Sequence, residues 1–271
     1  MNECRRPLMK KMAVLLSCLL LLPSVALAKG PSPVGRYVGV YVNGREPLEE
    51  DVMPVIRHNR TFLPLRAVTE ELGYVVSWNQ DKKEATLTKG KEKVVMTIGI
   101  KSYRQNGKDV AMDVAPYLEK NRTFIPARYL GEATGLSVQW MPNERIVTVG
   151  SYPQKDIPGA KRIYIKEIDM SFILPKDANI DYKLENDELC FYEKSNEQIG
   201  GDGFLFRLSK VKNPRTDWCN GPVILAHKDG IYYGADFRGD PAEIQDKALR
   251  ENFEKAYDYI DDILMTVRVG K

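Results

Sequence analysis

An internal repeat limits what this chain can fold into more than any other feature of its sequence. The pattern Asn-Arg-Thr-Phe-x-Pro-x-Arg begins at Asn59 and returns 62 residues later at Asn121. When residues 59–78 are aligned with residues 121–140, ten of the twenty positions are identical, whereas ordinary composition would give about one. A unit of this length is too small to bury a core alone, so we expect the two copies to pack together as one domain.

Each copy predicts the same short series of elements. The Thr-Phe pair belongs to a strand, and the proline ends that strand while presetting φ for the first helical turn. Helices are predicted at about 65–72 and 127–134, where Gly73 and Gly135 stop them. A strand that ends in tryptophan follows each helix. The predicted fold class is therefore α+β, with a duplicated strand-helix-strand domain built on an antiparallel sheet.

The order of these motifs resembles a known family. Val-Asn-Gly, Arg-Thr-Phe-x-Pro-x-Arg, a helix, Glu-x-x-Gly and a strand ending in tryptophan are similar to the N-terminal (stalk) domain of copper amine oxidases, over residues 36–150. The resemblance implies an antiparallel sheet curved around a helix. It does not imply amine oxidation, because the stalk is the non-catalytic part of those enzymes. The module is widespread in exported proteins of Gram-positive bacteria, so the resemblance also implies a cell-envelope protein.

Residues 1–28 have the pattern of a secretory signal peptide. A basic segment precedes an apolar run, Pro23 breaks that run, and small residues lead to a predicted cleavage after Ala28. These residues carry four basic and one acidic side chain, which is the whole net charge of +3. The remaining chain is neutral and has no electrostatic reason to bind nucleic acid. We expect a secreted or cell-surface protein with no membrane span after signal removal; a lipid anchor at Cys18 is the alternative.

The chain beyond the repeat is predicted to form a second α+β domain. Residues 29–35 form a tether, residues 151–160 a linker, and residues 161–271 the domain itself. Its antiparallel strands are predicted at 168–174, 188–193, 203–211, 223–226 and 231–237. A long C-terminal helix closes it, with Asp240 as N-cap and Glu243 completing a capping box. This order is similar to a C-terminal module of exported proteins whose function is unassigned.

The apolar face of that long helix is predicted from helical spacing. It contains Ile244, Ala248, Leu249, Phe253, Ala256, Tyr257, Ile260 and Leu264.

Two cysteines remain after removal of the signal, Cys190 and Cys219. An even pair in an exported chain favours one disulfide. Two buried free thiols are the alternative.

The sequence offers few residues for catalysis. Its two histidines, His58 and His227, are fewer than the three copper ligands of an amine oxidase, and the chain has no Asn-Tyr pair for a quinone cofactor. The cysteine spacing and the absence of His-Glu-x-x-His give no zinc site. Asp181, Asp187 and Glu188 are carboxylates that glycosidase chemistry could use, but ordinary surface acids have the same pattern. We therefore predict no catalytic residue, no metal and no cofactor.

A binding role remains. Arginines and tryptophans of the repeat could together contact an anionic wall polymer or a sugar ring. These residues are Arg60, Arg66, Trp78, Arg122, Arg128 and Trp140. The alternative is that the tryptophans cap the core and the arginines bond to nearby groups.

The function predicted from the sequence is an exported, non-catalytic binding or scaffolding protein of the bacterial cell envelope. Its partner would be a cell-wall polymer or an envelope protein. The alternative is a secreted enzyme or enzyme regulator with its site in residues 161–271.

Overall fold

A computed structural model describes residues 38–47, 53–198, 203–218, 222–237, 244 and 246–270. Within these ranges the helices are short and nearly all strand pairs are antiparallel, so the fold is α+β as predicted. The predicted signal peptide, its cleavage site at Ala28, Cys18 and the tether lie outside the described residues.

The repeat region contains twelve of the described strands and two helices. They are β1 (Gly39–Val42), β2 (Val55–Arg57), β3 (Arg60–Pro64), α1 (Leu65–Glu71), β4 (Val75–Asn79), β5 (Glu84–Lys89), β6 (Glu92–Thr97), β7 (Ser102–Gln105), β8 (Lys108–Ala111), β9 (Tyr117–Glu119), β10 (Arg122–Pro126), α2 (Ala127–Thr134), β11 (Val138–Met141) and β12 (Ile146–Val149).

The repeated asparagine lies in a tight hairpin turn. His58 and Asn59 join β2 to β3 with φ of 49° and 58°. Lys120 and Asn121 join β9 to β10 with φ of 47° and 60°. A two-residue hairpin with both central residues at positive φ is a type I′ turn, in which asparagine is favoured. The asparagine therefore has a structural role in the turn.

The two copies meet through their central strands. β3 pairs antiparallel with β10, so that Leu63 lies opposite Ile125 in a sheet of order β2-β3-β10-β9. Both side chains are fully buried, as are Val68 of α1 and Leu130 of α2. All four belong to one apolar cluster. The two copies thus bury a single core, which is what their small size requires.

Two further sheets complete the repeat region. One has the order β4-β5-β6-β7-β8, and the other has the order β1-β12-β11. In the second sheet β1 pairs parallel with β12, with Gly39 opposite Ile146. The first described strand of this region is therefore held by its last.

The C-terminal region contains eight described strands and four helices. They are β13 (Ile163–Ile165), β14 (Met170–Phe172), β15 (Ile180–Glu185), β16 (Glu188–Glu193), α3 (Lys194–Gln198), β17 (Phe204–Val211), α4 (Pro214–Asp217), β18 (Val223–Lys228), β19 (Ile231–Phe237), α5 (Lys247–Tyr257), α6 (Ile260–Thr266) and β20 (Arg268–Val269).

The main C-terminal sheet is antiparallel, with order β15-β16-β17-β19-β18. One face carries Phe191 and Phe206, whose rings stack with centroids 4.3 Å apart. Phe253 of α5 and Ile263 of α6 belong to the same apolar cluster. The opposite face carries the charged side chains of Arg207 and Asp236 and also the buried ring of Tyr232, because alternate residues of a strand point to opposite sides.

The single long C-terminal helix of the prediction is wrong. The described chain forms α5 and α6, separated at Asp258 and Tyr259. The backbone N–H of Tyr259 donates to the carbonyl of Ala256 at 3.1 Å, a three-residue turn that tightens the chain and ends α5. Tyr257, which helical spacing predicts on the apolar face, is 42% exposed.

The start of α5 differs from the predicted one. Asp246 is its N-cap and accepts a hydrogen bond from the N–H of Leu249 at 3.0 Å. The predicted cap at Asp240 and capping-box residue Glu243 lie outside the described residues.

The repeat region and the C-terminal region share a third apolar cluster. Tyr41 and Ile146 come from the first region, and Trp218 and Tyr232 from the second. The N–H of Ile224 also donates to the carbonyl of Gly44 at 2.7 Å. Gly44 has φ of 80°, and a Cβ atom there would lie 2.2 Å from the carbonyl oxygen of Ile224. This close backbone approach therefore requires glycine.

The segment 151–160 has no helix or strand. Its Tyr152 is 4% exposed and packs into the C-terminal cluster. The Tyr152 hydroxyl accepts a hydrogen bond from Arg45 at 3.1 Å and donates to Asp261 at 3.1 Å. Burial raises the pKa of Tyr152 to about 12, so the hydroxyl keeps its proton. This segment therefore takes part in the contact between the two regions.

Among the described helices, none combines the length and the apolar composition needed to cross a lipid bilayer.

Candidate binding grooves

The six residues predicted to bind a ligand line two grooves of the repeat region. The first, the Trp78 groove, has a volume of about 570 Å³. Its lining includes Arg66, Val76, Trp78, Lys120, Asn121 and Arg122. The second, the Trp140 groove, has a volume of about 620 Å³. Its lining includes Asn59, Arg60, Asp113, Arg128, Tyr129, Val138 and Trp140.

Each groove is built from both copies of the repeat. The Trp78 groove takes its tryptophan and helix arginine from the first copy, but Asn121 and Arg122 from the second. The Trp140 groove takes its tryptophan and helix arginine from the second copy, and Asn59 and Arg60 from the first. The exchange follows from the β3–β10 pairing, which places the hairpin of one copy beside the helix of the other.

The grouping in space differs from the order along the chain. In the sequence Arg60 lies nearest to Arg66 and Trp78, whereas in the structure it lines the groove of Trp140. The correct grouping depends on the antiparallel pairing of β3 with β10, which sequence separation does not reveal.

The cations of the Trp140 groove are paired with carboxylates. Arg60 donates to Asp113 from Nη2 at 2.7 Å and from Nε at 3.2 Å. The Tyr129 hydroxyl donates to the other Asp113 oxygen at 2.9 Å. These bonds, first from Arg60 and then from Tyr129, lower the pKa of Asp113. Arg128 pairs with Glu132 at 2.8 Å. A ligand would therefore meet these groups as formed ion pairs.

One ion pair beside the Trp78 groove is longer than its counterpart at the other groove. Arg66 lies 3.7 Å from Glu70, the counterpart of the 2.8 Å pair in the other groove. Lys120 lines this groove at the position that His58 occupies in the first copy. The two grooves are therefore built from equivalent elements but differ in charge: three cations line the Trp78 groove, whereas two arginines and two carboxylates line the Trp140 groove.

The two tryptophans are buried to different degrees. Trp78 is half-buried, packs against the core and donates from Nε1 to Gln80 at 2.7 Å. Trp140 is 39% exposed. The alternative hypothesis is that the tryptophans cap the core and the arginines bond to nearby groups. It describes Trp78, Arg60 and Arg128. The accessible aromatic surface is at Trp140.

The other sequence candidates do not come together. His58 is an exposed turn residue, and His227 stacks on Tyr232 with ring centroids 4.3 Å apart. Asp181 and Asp187 are exposed, and Asp187 lies in the turn between β15 and β16. Across the described ranges, no three His, Cys, Asp or Glu side chains are placed to hold a metal ion.

The structure records the buried Cys190 thiol as free. Burial raises its pKa to about 11. Cys219 lies outside the described residues, so the Cys190–Cys219 disulfide stays a prediction.

An ion cluster that the sequence did not predict lies on the face of the C-terminal sheet opposite Phe191 and Phe206. Arg207 of β17 forms two bonds to Asp236 at 2.6 and 2.8 Å, and one to Glu188 at 2.7 Å. The side chain of Asp236 is 4% exposed. Burial raises the pKa of Glu188 against the opposing effect of Arg207. Glu188, Arg207 and Asp236 lie on the same face of the sheet. Their proximity could be predicted only if the register of the three strands were known.

Comparison with known families identifies the repeat region. Residues 41–149 match the family described as copper amine oxidase N-terminal domain. The match lies within the predicted range of 36–150, so the predicted stalk-like domain is confirmed. It is the non-catalytic part of that enzyme family. No curated protein matches the chain.

Proposed function

We propose that this chain is an exported, non-catalytic protein of the bacterial cell envelope that binds a cell-wall polymer. Its duplicated stalk-like domain would provide the contacts, and the C-terminal region would serve as the attached scaffold. One observation supports the proposal above others: six residues chosen from the sequence converge on two grooves of the same plan. A duplicated groove suits a polymer, because a repeating ligand can occupy both sites of one molecule.

The pKa of Asp113 in the Trp140 groove argues against one catalytic role, that of a general acid. Asp113 is held by both Arg60 and Tyr129, and its pKa is lowered rather than raised. A general acid at neutral pH needs the opposite shift. The matched family domain is also the part of copper amine oxidases that does not carry out the reaction.

Sedimentation with purified Gram-positive cell walls tests the proposal. We expect the chain without residues 1–28 to sediment with the walls, and the double variant Trp78→Ala with Trp140→Ala to remain largely in the supernatant. Tyr257→Ala is the control, because Tyr257 is an exposed aromatic residue of the C-terminal region at 42% exposure. Equal sedimentation of the double variant and the control would contradict the role of the grooves. Failure of the unmodified chain to sediment would refute wall binding.

The proposed export has its own test. Expression in a Gram-positive host should release a mature chain that begins at Lys29, as measured by the intact mass of the secreted protein. Retention in the membrane fraction that Cys18→Ser abolishes would instead establish a lipid anchor.

A further inference from the structure

The Trp140 groove has an apolar floor with an accessible aromatic ring. Trp140 lies in β11 opposite Val147 of β12, and both line the groove with Leu136 and Val138. Trp140 as a residue is 39% exposed, more than any other aromatic residue named in the two grooves. Flat aromatic rings offer a large apolar contact area at a low cost in side-chain entropy. A sugar ring presents a matching face of C–H groups.

The edge of the same groove carries donors and acceptors in fixed positions. Arg60 and Asp113 are paired at 2.7 Å, and Arg128 and Glu132 at 2.8 Å. Tyr129 is bonded to Asp113 through its hydroxyl. Carboxylate oxygens accept from sugar hydroxyls, and guanidinium groups donate to them. A few placed polar groups around an apolar floor are typical of small-molecule sites.

The charges of this groove disfavour an anionic ligand. Its lining contains two arginines and two carboxylates. A phosphate or carboxylate group would have to displace Asp113 or Glu132 from an arginine, and would leave that acid without its partner. With two positive and two negative side chains the lining has no net charge to attract an anion, whereas hydroxyl groups can bond to both members of each pair. The occupant that fits these charges is uncharged.

The groove is also held in shape by close packing. Gly131 of α2 leaves no room for a side chain: a Cβ atom there would lie 2.7 Å from Cγ2 of Val138 and 2.9 Å from the carbonyl of Leu136. The corresponding residue of the first copy is Thr69. The close contact of α2 with β11 therefore depends on a glycine that the first copy lacks. A groove that is already formed before the ligand arrives loses less free energy on binding.

From these observations we propose that the Trp140 groove binds an uncharged sugar ring of a glycan chain, stacked on Trp140 and hydrogen-bonded by the Arg60–Asp113 and Arg128–Glu132 pairs. The proposal rests on the proposed function and specifies the ligand chemistry of one groove.

Calorimetric titration of the chain without residues 1–28 tests this ligand class. The probes are the uncharged chitohexaose, cellohexaose and maltohexaose, with polygalacturonate as the anionic polymer, in 50 and 500 mM NaCl. We expect at least one uncharged hexasaccharide to bind, with an affinity that salt changes less than about twofold. Trp140→Ala should weaken that binding roughly tenfold, as for an aromatic residue at the centre of a site. Tyr257→Ala should leave it unchanged, and the melting temperature of each variant checks its folding.

Three outcomes would overturn the inference: no uncharged hexasaccharide binds at millimolar concentration, Trp140→Ala binds as well as the unmodified chain, or polygalacturonate binds more tightly and loses affinity with salt. The wall-sedimentation assay separates this inference from the proposed function. Wall binding without hexasaccharide binding refutes only the ligand class. Hexasaccharide binding without wall binding refutes only the envelope role.

Discussion

The substitution Arg207→Met would remove the central cation of the ion cluster on the C-terminal sheet. Arg207 is 22% exposed and holds Asp236, at 4% exposure, through two hydrogen bonds. Methionine keeps most of the volume of the side chain but supplies neither charge nor donors. Asp236 and Glu188 would then be two neighbouring carboxylates without the cation between them.

The expected cost follows from the burial of these groups. Removal of one partner from a buried ion pair costs about 3–5 kcal/mol. We expect about 3 kcal/mol here, the lower end, because Arg207 and Glu188 are 22% and 31% exposed and water can partly solvate them. That is a large part of the 5–15 kcal/mol typical of a folded protein.

The cost should also depend on pH. Burial raises the pKa of Glu188 above its ordinary value of 4.5, while Arg207 opposes the rise. A carboxyl group whose pKa is raised on folding favours the folded state below pH 4.5, and this contribution is lost as the pH rises through the folded-state pKa. Without Arg207 the folded-state pKa of Glu188 rises further. The difference in stability between the two proteins should therefore be smaller near pH 4.5 than at neutral pH, although the loss of the two hydrogen bonds to Asp236 remains.

Urea unfolding of the unmodified chain and of Arg207→Met at several pH values measures this difference. Arg104→Met is the matched control, because Arg104 and Asp109 form a single pair at 3.0 Å with side chains 61% and 65% exposed. That control should lose less than about 1 kcal/mol. A loss from Arg207→Met no larger than the control, or one that grows toward acid pH, would refute the reasoning.

Three further predictions concern packing, the contact between regions and the thiol. Gly234→Ala should lower the urea midpoint markedly, because its Cβ atom would lie 2.4 Å from the Trp218 ring; a midpoint unchanged from the parent would contradict this packing. Arg45→Ala should cost under about 1 kcal/mol in the same assay, since Arg45 and Asp261 are 44% and 60% exposed, and a loss above 2 kcal/mol would show a larger role. After reduction and desalting, Cys190 should resist iodoacetamide at pH 8 in the folded protein, because burial raises its pKa to about 11. Peptide mass spectrometry measures the modified fraction, and rapid modification of Cys190 would contradict its burial.

The local structure of the repeat was predictable because local chemistry determines it. Pro64 and Pro126 have φ of −64° and directly precede α1 and α2. Gly73 and Gly135 have positive φ where those helices stop. Strand β19 was also predicted at its observed bounds, since β-branched and aromatic residues follow an Asp-Gly turn.

The composition of the grooves was not predictable in the same way. The six residues were identified, but their partners depend on which strands pair across the two copies. Arg60 reaches Asp113, 53 residues away, only because β3 lies beside β10. Sequence periodicity reports which face of an element is apolar, not which element covers it.

Two errors in the C-terminal region have a similar origin. The apolar spacing of residues 244–264 continues through Asp258 and Tyr259, so periodicity alone predicted one helix across the turn that separates α5 from α6. Strand β15 was missed because all but two of its six residues are exposed, and an edge strand with a polar surface has a weak apolar signal.

The parallel pairing of β1 with β12 has a consequence for how the chain acquires its fold. Gly39 and Ile146 are about 110 residues apart in sequence, and the sheet that joins them cannot form until the second of them is available. Contacts over such a distance must first overcome the entropy of closing a long loop, which slows folding. A chain emerging from a translocation channel, as the proposed export requires, would have to release its whole repeat region before that sheet closes. The domain should therefore fold as one cooperative unit, and a fragment that ends after the first copy should remain unfolded.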